Sequence, residues 1–114
     1  MLYDEMLVER VRGVLKGKRN VKERMMFDGL TFMLQGNMCC RVEGDRLMVR
    51  VGAEKYDEAL AQKHAELMDF TGRPMKGMVY VARDGLEGDD ALAAWVNRGM
   101  AYAASLPPNT RGRR

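Results

Sequence analysis

The chain of 114 residues and 12.9 kDa has the length of one domain, which excludes a barrel enzyme or two full domains. Its 46% apolar and 31% charged residues are typical of a globular protein rather than a disordered or membrane-embedded one. No stretch free of charged residues exceeds 12 residues, the length of the one between Arg98 and Arg111 with its two prolines, and this is too short for a membrane span. The N-terminal segment lacks an apolar signal sequence, so we expect a cytoplasmic protein.

The first predicted element is an amphipathic helix. Tyr3, Leu7, Val11 and Val14 recur at spacings of four and three, with charged residues between them, which predicts about four turns of helix. Gly17 follows as a C-terminal cap, because glycine tolerates the left-handed backbone common at that position.

Four short strands are predicted next, over residues 21–27, 30–35, 38–43 and 46–51. Three turn signals separate these strands: Asp28-Gly29, Gly36-Asn37 and Gly44-Asp45. Their spacing is typical of consecutive antiparallel strands. Because side chains alternate along a strand, one face of this sheet is strongly apolar. That face is predicted to carry Leu30, Phe32, Leu34, Met38, Cys40, Val42, Leu47, Val49 and Val51.

The remaining chain predicts a helix over about 53–63, a loop FTGRPMKG, a fifth strand GMVYVA and a helix over about 89–106. Asp89 is the predicted N-cap of the last helix, and Pro107 ends it. The predicted fold class is α+β with two layers: an antiparallel sheet, made of a four-strand meander plus a fifth strand, backed by three helices. This domain spans residues 1–108, and residues 109–114 form a basic disordered tail.

The second face of the sheet is the candidate partner-contact surface. Methionine is unusually frequent, with 11 in the chain, and its flexible side chain suits adaptable binding surfaces. Alternation leaves a mixture of soft apolar groups and arginines on the side that no predicted helix reaches. The candidate contact residues are Met33, Cys39, Arg41, Met48, Arg50, Met78 and Tyr80.

No catalytic or metal-binding set emerges from the sequence. Cys39 and Cys40 are adjacent, so on a regular strand they point to opposite faces and do not chelate one metal together. His64, predicted at the end of the second helix, is the only histidine, and Ser105 is the only serine. We therefore expect a protein that is not an enzyme and that needs no cofactor.

The positive charge is concentrated in short segments. The net charge is +3, and Arg111, Arg113 and Arg114 account for it, which leaves the preceding residues neutral overall. Lys16, Lys18, Arg19, Lys22 and Arg24 form a second cluster interrupted by Glu23, and Arg73 and Lys76 give a candidate basic loop. Because the body is neutral, direct nucleic-acid binding by it is not expected.

Three segments are similar to the N-terminal domain of the TfoX/Sxy family of bacterial competence regulators. They read MMFDGLTFMLQGNMCCRVEGDRLMVRVG, MDFTGRPMKGMVYV and AWVNRGMAYAASLPP, and the resemblance extends over roughly residues 3–108. The residues that carry it are Met26, Phe27, Gly29, Phe32, Gly36, Asn37, Leu47, Arg50, Gly52, Phe70, Gly72, Pro74, Met75, Gly77, Tyr80, Trp95 and Leu106.

The resemblance implies a role in the transcription of competence genes, as a coactivator working with a regulator of the cyclic-AMP receptor type. It supplies no catalytic residues, and it implies a fold similar to that of secretion chaperones. We expect a regulatory protein-interaction domain that binds a protein partner or itself. Two alternatives stay open: a nucleic-acid-associated accessory protein that uses the basic tail and loop, and a small-molecule-binding protein or enzyme.

Overall fold

A computed structural model describes residues 3–26, 29–69 and 74–109. Its helices are α1 (Glu5–Leu15), α2 (Tyr56–Leu60) and α3 (Asp89–Ser105), and a 3-10 turn covers Arg83–Leu86. Its strands are β1 (Val21–Met26), β2 (Gly29–Leu34), β3 (Asn37–Glu43), β4 (Arg46–Arg50), β5 (Ala65–Asp69) and β6 (Pro74–Val81).

The strands form one antiparallel sheet in the order β1-β2-β3-β4-β6-β5, so β1 and β5 are its edges. The four-strand meander and the α+β class are therefore confirmed. The sheet has six strands instead of the five predicted, and the predicted last strand, now β6, pairs with β4. After α2 the chain therefore forms the edge strand β5 and then β6, which lies between β5 and β4.

Local sequence explains most element ends. Asp4 caps α1, because its Oδ1 accepts hydrogen bonds from the backbone N–H groups of Met6 and Leu7 at 2.9 and 3.2 Å. Gly17 adopts φ +85° just after this helix, as a C-terminal cap requires. The β2–β3 turn uses Gln35 and Gly36, at φ +52° and +81°, and so begins one residue earlier than predicted.

The core lies between one face of the sheet and the helices. Val11 of α1, Phe32 and Val49 of the sheet, and Leu92 and Val96 of α3 are fully or almost fully buried in it. At about 25 cal/mol per Å² of apolar surface removed from water, such side chains supply the main driving force for folding. All three helices contribute buried residues to this one cluster.

The segment between α2 and β6 differs from the prediction. The second helix is a short one, Tyr56–Leu60, and the unpredicted strand β5 follows it. His64 has φ +72° and lies in the turn between them, not at the end of the helix. Its carbonyl accepts a hydrogen bond from Ala82 N–H at 2.9 Å, which directs the chain into the sheet. The first four residues of the sequence AELMD are good helix formers, so tertiary pairing with β6 overrides their local preference.

Two further predictions are wrong in detail. Gly88, not Asp89, is the N-cap of α3; Asp89 is the first helical residue and contacts Arg10 at 3.3 Å. The predicted loop FTGRPMKG is in part β6, which begins at Pro74, and residues 70–73 of that loop lie outside the described residues.

A β-bulge changes the side-chain pattern of β3. Phe32 pairs with Cys40, but the next residue of β2, Met33, pairs with Met38, so Cys39 is the extra residue. As a result, both cysteines belong to the helix-covered core and are fully buried. The predictions that they face opposite sides and that Met38 shares the face of Cys40 are wrong, because alternation does not continue through a bulge.

Helix α3 approaches this bulge very closely. A Cβ atom at Gly99 would lie 2.4 Å from the carbonyl oxygen of Cys39, which is far inside van der Waals contact. The Sγ of Cys39 is 3.8 Å from the carbonyl oxygen of Val96, within reach of a weak hydrogen bond. Gly99 therefore sets the distance between α3 and the sheet.

The segment after α3 folds back onto the β2–β3 turn. The N–H of Asn109 donates to the carbonyl of Gln35 at 2.8 Å, and the side-chain amide of Asn37 donates to the carbonyl of Pro107 at 2.9 Å. A Cβ atom at Gly36 would meet the Asn109 carbonyl oxygen at 2.0 Å. This contact holds Asn109, and residues 110–114 of the predicted tail lie outside the described residues.

Candidate interaction surface

The second face of the sheet, which we call the open face, lies opposite the helices. Register places Thr31, Arg41, Met48 and Tyr80 side by side across β2, β3, β4 and β6. Met48 and Tyr80 form a separate apolar cluster with Met38 and Met78 packed against them. Among the described residues, no helical residue belongs to this cluster, so only neighbouring strand residues cover it.

The centre of the open face is nevertheless closely packed. Met48 is 4% exposed and Tyr80 is 7% exposed, whereas Met33, Met38 and Met78 are half-buried. The accessible apolar part of this face therefore consists of these three half-buried methionines, Met33, Met38 and Met78, which we call the methionine rim. A contact there requires adaptable side chains, which methionine supplies.

Tyr80 anchors a polar network at one end of the cluster. Its hydroxyl donates to Glu43 Oε2 at 2.6 Å, and the Arg46 guanidinium lies 3.7 Å from the centre of its ring. The second Glu43 oxygen is 3.9 Å from Arg41 Nη2. Burial, together with the hydrogen bond to the Glu43 carboxylate, raises the pKa of Tyr80 to about 12.

One polar group on this face lacks a partner. The hydroxyl of Thr31 is fully buried and makes no hydrogen bond with another described residue. A buried hydroxyl left unpaired costs about 1–3 kcal/mol, so this position is locally unfavourable to folding.

The other candidate residues lie around this centre or away from it. Arg50 reaches towards α3, with its guanidinium 5.2 Å from the ring centre of Tyr102. Lys76 is exposed on β6, while Arg73 lies outside the described residues. Cys39 does not belong to the open face, because the bulge turns it towards α3, so it cannot contact a partner there.

Comparison with known families identifies the domain. The family model described as the TfoX N-terminal domain matches residues 14–103 of the 114. The chain belongs to the TfoX N-terminal domain family. The match contains all six strands, α2 and most of α3, and hence both faces of the sheet. Among curated proteins, none matches the chain significantly.

In this TfoX N-terminal domain, sequence reasoning missed three members of the open face. Met38 was assigned to the wrong side, because the bulge is invisible in the residue pattern. Glu43 and Arg46 pair across the β3–β4 turn, and their contacts with Tyr80 depend on the β4–β6 pairing. The alternation of charged and apolar residues could have placed Glu43 and Arg46 on the open face. It could not have shown that β6 is the strand next to β4.

A groove between α3 and the segment before α2 is a second concave feature of the domain. It has a volume of about 830 Å³, and Ala53, Ala94, Ala101 and Tyr102 are among the residues that line it. Arg98 and Glu58 approach within 3.5 Å at this groove.

Within the described ranges, no group of three or more His, Cys, Asp or Glu residues could hold a metal ion.

The two cysteine thiols are poorly placed for chemistry. The hydrogen bond with Cys39 and complete burial raise the pKa of the Cys40 thiol, which keeps it protonated.

Of the helices in the described part of the chain, none is both long and apolar enough to cross a lipid bilayer.

Proposed function

We propose that this TfoX N-terminal domain is a cytoplasmic, non-enzymatic regulatory domain of competence-type transcription control. It acts as a coactivator by binding another protein, such as a transcription regulator of the cyclic-AMP receptor type, or a second copy of itself. The observation that carries the proposal is the methionine cluster on the open face, which no described helix covers. The family match supports a competence-related regulatory role.

The composition of the open face favours a protein partner. Its accessible apolar atoms belong to Met33, Met38 and Met78, and protein interfaces are enriched in methionine, arginine and aromatic residues. Arg46 flanks the cluster on β4, with its guanidinium over the ring of Tyr80. An apolar centre with a polar rim is the usual anatomy of a protein-binding patch.

A charge placed on the methionine rim tests the proposal. Met78→Glu introduces a carboxylate at a half-buried site of the open face, whereas Met48→Glu would bury it at a 4% exposed site and unfold the domain. Met6→Glu is the matched control, because Met6 is 74% exposed on α1, on the other side of the sheet. Urea unfolding checks that both variants remain folded.

Two associations are measured for each variant: self-association by light scattering, and affinity for the purified cyclic-AMP-receptor-type regulator of the same organism. We expect at least one association in the wild type, weakened about tenfold or more by Met78→Glu and unchanged by Met6→Glu, as for a residue near the centre of an interface. A folded Met78→Glu variant with unchanged association would overturn the proposal, as would a wild type that shows neither association.

A further inference from the structure

The edge strand β1 has one side without a partner strand among the described residues. On its other side it pairs with β2 through six consecutive residue pairs, without a register shift. The opposite edge strand, β5, is less regular, because its register shifts between Leu67 and Asp69. A regular edge is the kind of site at which an extended segment of a second chain adds to a sheet.

The backbone of β1 offers hydrogen bonds along its outer side. Just before β1, the Asn20 carbonyl accepts a hydrogen bond from the N–H of Gln35, which continues the ladder between β1 and β2. Because bonding alternates along an antiparallel strand, every second residue after Asn20 also bonds to β2. The residues between them direct their N–H and C=O groups away from the sheet, and these residues are Val21, Glu23 and Met25.

Two cations lie on one face of this edge. Lys22 and Arg24 pair with Met33 and Thr31 of β2, so their side chains belong to the open face. Both are exposed, and neither makes an ion pair with another described residue. Acidic side chains of an added strand would lie directly opposite these cations, where opposite charges stabilise strand pairing.

On the other face of β1, the single acid is already paired and an apolar side chain is exposed. Glu23 receives two hydrogen bonds of 2.6 Å from the Arg12 guanidinium, which lower the pKa of its carboxyl and satisfy its charge within the domain. Met25 lies opposite the buried Leu30 but is itself 59% exposed at the edge. An apolar side chain of an added strand, opposite Met25, would remove this surface from water.

A concavity beside β1 gives such side chains room. It lies between α1 and the first two strands and has a volume of about 460 Å³. The residues that line it include Gly13, Leu15, Val21 and Phe32. A Cβ atom at Gly13 would meet no other atom within 4 Å, so α1 leaves this space open. Side chains on the helix-covered side of an added strand would enter it.

We propose that an extended, acidic segment of another protein adds to the outer edge of β1 as a further strand. Its backbone bonds to the outward N–H and C=O groups of β1. Its acidic residues lie opposite Lys22 and Arg24. Its apolar residues lie opposite Val21 and Met25, beside the concavity. This contact is separate from the one proposed for the methionine rim, since it is made through the backbone of the edge strand.

A second copy of β1 does not fit this edge. A two-fold axis between two antiparallel copies places the central residue opposite its own equivalent. With Lys22, Glu23 or Arg24 at the centre, two like charges face each other directly, which destabilises strand pairing. The charges that admit an acidic segment therefore also disfavour self-association through this edge.

The proposal is tested with a capped peptide of sequence VETEV and the full-length, isotope-labelled protein. The sequence reads the same in both directions, so its glutamates can lie opposite the two cations in either strand orientation. We expect binding at peptide concentrations below about 1 mM, with slower amide exchange at Val21, Glu23 and Met25. The proposal is wrong if the peptide does not bind, or if it binds and leaves the exchange at these three residues unchanged.

Two control peptides separate backbone pairing from charge alone. N-methylation of the central threonine keeps the side chains and the charge but removes an N–H group that would bond to β1. It should weaken binding about tenfold or more. The peptide VKTKV keeps the strand pattern with the opposite charge, and it should not bind the wild type. Equal binding of VETEV and either control peptide would overturn the proposal.

Charge reversal on the protein tests the two cations. The variant K22E/R24E should weaken the binding of VETEV about tenfold or more and should bind VKTKV instead. The matched control K55E/K63E makes the same change of charge at exposed residues on either side of α2, away from β1. It should leave the affinity for both peptides nearly unchanged. If the two variants weakened the binding of VETEV equally, the proposal would be wrong.

Discussion

The two faces of the sheet bury their side chains in different ways. On the helix-covered face, Phe32, Val49 and Val79 are buried in one cluster that contains residues of all three helices. On the open face, Met48 and Tyr80 are nearly as buried, but only strand neighbours with long side chains cover them. Burial alone therefore does not separate a permanent core from a surface that is able to exchange one set of contacts for another.

The close contact at Gly99 gives the largest expected effect. Gly99→Ala places a Cβ atom 2.4 Å from the Cys39 carbonyl oxygen, so α3 must move away from the helix-covered face. We expect a loss of about 2 kcal/mol or more in the free energy of unfolding, measured in urea, as for overpacking in other cores.

Gly13→Ala is the control for this prediction. Gly13 also lies within a helix, but a Cβ atom added there would meet no other atom within 4 Å, so the substitution should stabilise the domain by up to about 1 kcal/mol. If both alanine variants were stabilising, the packing of α3 against the bulge would be looser than the Gly99 contact indicates.

Tyr80→Phe tests the polar network of the open face and has a smaller expected effect. It removes the hydrogen bond to Glu43, and we expect a loss of about 1–2 kcal/mol at neutral pH. The core should remain intact, because Tyr80 contacts the separate methionine cluster. Urea unfolding measures the loss of stability, and the near-ultraviolet spectrum of Trp95 shows whether the core remains intact.

The pH dependence of this variant has a definite sign. In the folded state the pKa of Tyr80 is about 12, above its usual value of 10.0, so the folded state holds this proton more tightly. The stability that it contributes is complete below pH 10 and is lost as the pH rises from about 10 to about 12. Raising the pH from 9 to 11 should therefore lower the free energy of unfolding of Tyr80→Phe by less than it lowers that of the wild type. An equal loss would mean that Tyr80 titrates normally.

Thr31→Val has the smallest expected effect, and it has the opposite sign. The substitution replaces a buried hydroxyl that no described residue pairs with by a methyl group of similar size. We expect a gain of up to about 1 kcal/mol in urea unfolding. A loss of stability would show that the hydroxyl has a partner, for instance a buried water.

Local signals in the sequence were sufficient for the meander and for the helix-covered face. Regularly spaced turn glycines defined the four strands, and apolar alternation identified Phe32, Val42 and Val49 as core. The Asp4 cap and the charged face of α1 are equally local. These features depend mainly on residues that are close in sequence.

The remaining features depend on contacts that a residue pattern does not contain. Strand β5 exists because β6 pairs with it, and the cysteine bulge follows from the registers of β2 and β3 and the approach of α3. The return of the chain after α3 depends on Gln35, whose backbone hydrogen-bonds to Asn20 and Asn109, two residues that are far apart along the chain. Such placements need the tertiary fold.

The position of α3 has a consequence for biosynthesis. It leaves the ribosome after the other described helices and strands of this domain, yet it provides Leu92, Trp95 and Val96 to the core. Until it emerges, the apolar face of the sheet has only α1 and the short α2 to cover it, and a nascent chain in that state exposes surface that promotes aggregation. The domain therefore completes its folding only after α3 has been synthesised, and slow translation of the segment before α3 would prolong its dependence on chaperones.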